Sequence, residues 1–147
     1  MLGMLKTPKG RSQDELRVQS EGVTDVMLLG DGESRVENEL LAACGEMAWA
    51  RSAGDRVLSV GLVRGHSVEC ADGFSLRAPA GLRHCAVELG HGEIQITIEG
   101  AQCFHLTLPQ AVSRLKINGD FCALDERWRR VAFVRDKVRW RLSEIDC

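Results

Sequence analysis

The stretch His84-Cys85-Ala86-Val87-Glu88-Leu89-Gly90-His91-Gly92-Glu93-Ile94-Gln95-Ile96-Thr97-Ile98-Glu99 decides the fold. Its apolar side chains recur at every second position on both sides of a glycine turn, the period of a half-buried strand rather than of a helix. With Gly90-His91 as a two-residue loop and a positive φ at Gly90, Leu89 pairs with Gly92, Glu88 with Glu93, Val87 with Ile94 and Cys85 with Ile96. Cys85, Val87, Leu89, Ile94, Ile96 and Ile98 then share one face. His84, Ala86, Glu88, Glu93, Gln95, Thr97 and Glu99 share the other, wet or ligand-facing, side.

The same alternation extends outward in both directions. Phe104, Leu106 and Leu108 alternate with His105 and Thr107 until Pro109 ends the strand. Leu115 and Ile117 lead into Asn118-Gly119-Asp120, where a three-residue loop sets Ile117 against Phe121 better than a two-residue loop does. A last hairpin turning at Arg135-Asp136 pairs Phe133 with Val138 and Val131 with Trp140. Upstream, Val57–Val63 is apolar on both sides, as in a central strand, and Gly65 and Asp72-Gly73 punctuate the chain before Phe74, Leu76 and Ala78. Val23–Leu29 stops at the turn signal Gly30-Asp31-Gly32, and Lys9–Glu15 reads as a loose segment. Residues 36–53 fit a helix behind an Asn38 cap or a strand through Met47, Trp49 and Arg51; the all-β surroundings select the strand. The expectation is a single all-β domain over residues 1–147, a two-layer antiparallel β-sandwich.

At 147 residues one core suffices, and roughly two thirds of the unfolded surface is buried at this size. No apolar run approaches the roughly 20 residues of a membrane-spanning helix, so no membrane partner is expected. The opening Met1-Leu2-Gly3-Met4-Leu5-Lys6-Thr7-Pro8 lacks the basic leader and sustained apolar core of a signal peptide, which leaves the cytoplasm as the default compartment. Six cysteines, Cys44, Cys70, Cys85, Cys103, Cys122 and Cys147, stand without a Cys-x-x-Cys pair. They read as buried free thiols rather than as zinc ligands or a disulfide scaffold.

The net charge of −2 is unevenly spread: residues 127–141 hold six Arg and one Lys against one Asp, or +6, leaving −8 elsewhere. In the predicted hairpin Arg130 faces Arg141, with Lys137 and Arg139 beside them. Like charges across a ladder repel, and an anion between them relieves the repulsion. Guanidinium forks match sulfate, carboxylate and phosphate, so Arg130, Lys137, Arg139 and Arg141 form the candidate ligand-binding face. Trp128, Trp140 and Phe133 lie near it, but two of them face inward and leave no stacking platform for nucleic acid. Glu88 opposite Glu93 is a carboxylate pair at a hairpin tip without a third acidic ligand. The cysteines and serines lack a strand-turn-helix elbow and a histidine partner. No catalytic residue, metal site or cofactor is therefore assigned, and catalysis by this chain alone is not expected.

Two resemblances bear on function. The run Gly73 to Glu88, with Pro79-Ala80-Gly81-Leu82-Arg83-His84 at its centre, resembles the second motif of cupin barrels, which implies a β-barrel presenting His84 to a metal or a sugar. Here His66 stands alone where the other cupin motif supplies a histidine pair, and Glu88 lies roughly 13 Å along the strand from His84. The order of segments as a whole is similar to the C-terminal β-sandwich of heparinase II/III-type polysaccharide lyases. It is carried by Leu2–Pro8, by Ala48–Leu58, by Leu62–Glu69 and by Leu115-Lys116-Ile117-Asn118-Gly119. That resemblance implies an accessory module acting on acidic polysaccharide beside a separate catalytic chain. Catalysis in that family relies on Tyr together with His, Asn or Arg on a helical body, and this chain has no tyrosine. Alternatives from other classes are a cupin-like metal-dependent enzyme using His84, and a β-sandwich that makes protein contacts.

Overall fold

The computed structural model describes residues 2–6, 13–124, 129–137 and 139–143. Twelve strands occur among them: β1 (Leu2–Lys6), β2 (Asp14–Ser20), β3 (Val23–Glu37), β4 (Leu41–Ala53), β5 (Arg56–Cys70), β6 (Ser75–Leu89), β7 (Glu93–Glu99), β8 (Cys103–Thr107), β9 (Arg114–Ile117), β10 (Asp120–Ala123), β11 (Arg130–Asp136) and β12 (Arg139–Ser143). No helix occurs among the described residues. The chain is all-β, one large open sheet consistent with a β-sandwich and not a closed barrel. The barrel that the cupin resemblance implies is therefore overturned.

The strands pair in the order β1-β2-β3-β4-β5-β6-β7-β9-β10, and a branch leaves β6 through β8 to β11 and β12. All pairings are antiparallel except β7 with β9. Straight strands of the length of β3, β5 and β6, 15 residues each, would run roughly 50 Å. The radius of gyration of a compact chain this long is only about 15 Å. The long strands bend instead, at register shifts between Leu29 and Ser34, Cys44 and Gly45, and Gly65 and Ser67. One consequence is that Asp55 and Asp72, just beyond opposite ends of β5, line the same cavity of about 370 Å³. The sheet has doubled over, and each bent strand contributes to both layers.

The core lies between the layers. Phe74, Phe104, Phe133, Leu62, Leu76, Ile96, Leu106 and Ile117 are fully buried. Full burial of such side chains contributes about 1.5–3 kcal/mol each. Phe104 and Phe133 are opposite each other on β8 and β11. Their rings stack at 5.3 Å, with the Trp140 ring edge-on to Phe104 at 4.8 Å. At the other side Gln13, which is buried, exchanges two hydrogen bonds with the Glu37 backbone at 2.8 and 3.0 Å. Glu15 accepts from Asn38 at 2.9 Å and from Arg17, which also pairs with Glu39. Asp14 and Glu15 thus open β2 rather than belonging to a loose segment; residues 9–12 lie outside the described residues.

The strand expected within residues 36–53 is β4, and Asn38 caps no helix: its Oδ1 accepts from Leu40 and Leu41 N–H in the turn before β4. Several local expectations are corrected. Gly30-Asp31-Gly32 is no chain reversal, because β3 runs through it with a bulge. Gly65 and Pro79-Ala80-Gly81 likewise bend β5 and β6 without ending them. The β6–β7 loop is His91-Gly92, with φ +71 at Gly92 and the Gly90 N–H donating to the Glu93 carbonyl at 2.8 Å. Leu89 then pairs with Ile94 and Glu88 with Gln95, so Glu88 and Glu93 are not opposed. Asn118-Gly119 is a two-residue loop with positive φ at both positions, the signature of a type I′ turn. Ile117 pairs with Asp120, and Phe121 turns outward, 60% exposed.

Cys44, Cys70, Cys85 and Cys122 are free thiols, whereas Cys103 is disulfide-bonded, contrary to expectation, and Cys147 lies outside the described residues. Burial, aided by the Asp72 charge, pushes the Cys70 thiol up to about 12. Burial does the same to Cys85, against a backbone hydrogen bond at Leu62.

Candidate anion-binding site

The β11–β12 hairpin turns at residues 137–138 rather than at Arg135-Asp136. Phe133 pairs with Leu142, Val134 with Arg141, Arg135 with Trp140 and Asp136 with Arg139. Val138 lies outside the described residues. The predicted apposition of Arg130 and Arg141 is therefore absent: Arg130 faces Thr107 of β8, four residues or roughly 13 Å along β11 from the partner of Arg141. The physical reason is the two-residue loop. It is closed by Lys137 in the left-handed region at φ +56, and the resulting four-residue shift carries Arg141 away from Arg130 while Phe133 and Trp140 stay in the core.

The structure brings together three of the four predicted cations. Lys137, Arg139 and Arg141, all exposed, border an open depression of about 470 Å³ with Asp136 and Trp140. Arg141 Nη1 lies 3.5 Å from Asp136 Oδ2, and both side chains are more than half exposed. Such a pair contributes little and holds the guanidinium loosely. Three cations against one carboxylate leave the depression positive. Trp140 borders the depression as well, but it is nearly buried, its ring turned to the core against Phe104 with Arg135 over it at 5.9 Å.

The histidines do not converge. His84 on β6 is paired with Val63 and Glu99, His66 sits in the bend of β5, and His105 on β8 lies opposite Arg77 and Ala132. Among the described residues no group of three or more His, Cys, Asp or Glu side chains could hold a metal ion. His91 instead contacts Arg56, Nε2 to Nη1 at 2.9 Å, beside the cavity shared by Asp55 and Asp72.

Two features escaped the sequence reading. Phe121, exposed on β10, carries Lys116 Nζ at 4.8 Å and Arg114 at 5.3 Å from its ring centre. Surface cation–π contacts of this kind are worth about 0.5–1 kcal/mol. The Asn118-Gly119 pair was the available signal, because a type I′ turn puts Phe121 opposite Lys116. The second feature is a row of charges at the bend of the sheet, Glu46, Arg64 and Arg83. Reading Gly65 as a break between strands hid it.

Comparison of the chain with protein-family models, with curated proteins and with solved structures finds no match in any of the three.

Proposed function

We propose that this chain is a non-catalytic β-sandwich module that binds acidic carbohydrate at the tip of the β11–β12 hairpin. The observation that carries the reading is the convergence of Lys137, Arg139 and Arg141 around one depression. Guanidinium forks donate paired hydrogen bonds to sulfate and carboxylate oxygens, and an open, shallow site suits one group of a polymer better than an enclosed small molecule. Arg130 falls outside this cluster and is assigned no share in it. The role parallels that of an accessory module of a polysaccharide lyase, with the catalytic groups on a separate chain.

Binding to heparin and to polygalacturonate, measured by calorimetry at increasing salt, tests the reading. Affinity should fall as salt screens the site, and the triple variant Lys137→Ala, Arg139→Ala, Arg141→Ala should lose at least about tenfold. Unchanged binding in that variant, or binding indifferent to salt, overturns the assignment.

A further inference from the structure

We infer that the bend between the two layers carries a second anion subsite, built on Arg64 and Arg83, that extends the acidic-chain site at the hairpin tip; the inference rests on that first reading. Val63 is opposite His84 and Gly65 opposite Leu82, which places Arg64, itself in the left-handed region at φ +46, beside Arg83 on the adjacent strand. Met47 opposite Val63 and Gly45 opposite Gly65 put Glu46 on the other flank of Arg64. Two arginines thus neighbour each other on adjacent strands of this protein, β5 and β6, and border one depression.

Both guanidinium side chains are exposed and, with His66 and Glu46, border an open depression of about 660 Å³ floored by Gly81 and Gly100. The one carboxylate, Glu46, reaches Arg64 at 3.4 Å across solvent and leaves the row positive. Neighbouring cations on adjacent strands repel, and a sulfate or carboxylate lying between the two forks removes that repulsion while accepting from both.

The β7–β8 connection links the bend to the strand that carries the hairpin tip. Gly100 borders the bend, while the Gln102 carbonyl accepts from the Arg135 N–H at 2.8 Å, at the base of the hairpin tip. One residue, Ala101, separates Gly100 from Gln102, at most about 7 Å of chain. One acidic chain crossing this segment engages both subsites, whereas a single sugar unit engages one.

The test is a length series of sulfated or uronate oligosaccharides, from disaccharide upward, titrated into the whole chain. Wild type should bind the long members at least about tenfold more tightly than the disaccharide. Arg64→Gln with Arg83→Gln should erase that advantage and leave disaccharide binding at the tip intact. Glu46→Gln should strengthen long-chain binding without altering the fold, which circular dichroism checks in each variant. If the Arg64/Arg83 variant keeps the wild-type length dependence while the Lys137/Arg139/Arg141 variant loses binding, the second subsite is wrong and the first stands. If wild type binds no member of the series, both readings fall.

Discussion

A β-carbon on residue 65 would lie 2.1 Å from the Cys44 carbonyl oxygen and 2.7 Å from Gly45 Cα. Both obstacles are backbone, so they cannot swing aside as a side chain would. The bend in β5 depends on that close approach, and Gly65→Ala should destabilise the protein by on the order of 3 kcal/mol, read as a lower urea midpoint at unchanged slope. Asn118 matters for a different reason. Its φ of +50 suits an asparagine, while its Oδ1 accepts from the Ile98 N–H at 2.8 Å and its Nδ2 donates to the Ile98 carbonyl at 3.0 Å. That amide extends the parallel β7–β9 ladder by one rung. Asn118→Ala forfeits both bonds and the left-handed preference, and should lower stability by about 2 kcal/mol in the same assay. The sequence shows such residues plainly as turn formers. It does not show whether a glycine reverses the chain or bends it, because the same φ freedom serves both.

At the level of strands, facing survives errors of register only when they are even. The β6–β7 pairing differs from expectation by two residues and the β11–β12 pairing by four, so Cys85, Val87, Ile94, Ile96, Phe133 and Trp140 point inward as read. At β9–β10 the difference is one residue, and Phe121 changes side. Aligning Phe121 with Ile117 needs a three-residue loop, whereas the turn chemistry of Asn-Gly favours two residues, and the turn prevails. A paired mutation separates these alternatives: Phe133→Ala should cost about 3–5 kcal/mol, and Phe121→Ala less than about 1 kcal/mol, in equilibrium unfolding. Comparable losses at the two positions would contradict the two-residue loop. The candidate site follows the same logic. Composition alone revealed that residues 127–141 are basic, but which cations meet depends on loop length, so Arg130 was placed with Arg141 while the Arg64–Arg83 pair went unread.

For the molecule as a whole, the buried thiols set the alkaline limit. Cys70 and Cys85 titrate at about 12 when folded against an ordinary 9.0. Below pH 9 both are protonated in either state and their contribution is fully present. Between pH 9 and 12 the unfolded chain releases protons that the folded chain retains, so stability falls by up to about 1.4 kcal/mol per pH unit for each thiol. With no tyrosine and only four lysines, few groups of other kinds blur that window, although burial and then the Asp120 charge raise Cys122 in the same direction. Urea unfolding across it should show the decline, and replacing Cys70 and Cys85 by alanine should reduce it. The doubled-over sheet has a further consequence. Because β3 to β6 pass through the bend as continuous strands, neither layer can open while the other stays intact without tearing the same backbone ladders. Native-state hydrogen exchange should therefore find the amides of Leu62 and Leu76, one in each layer, released only in the same global opening, with no partially unfolded species in which half of the sandwich survives.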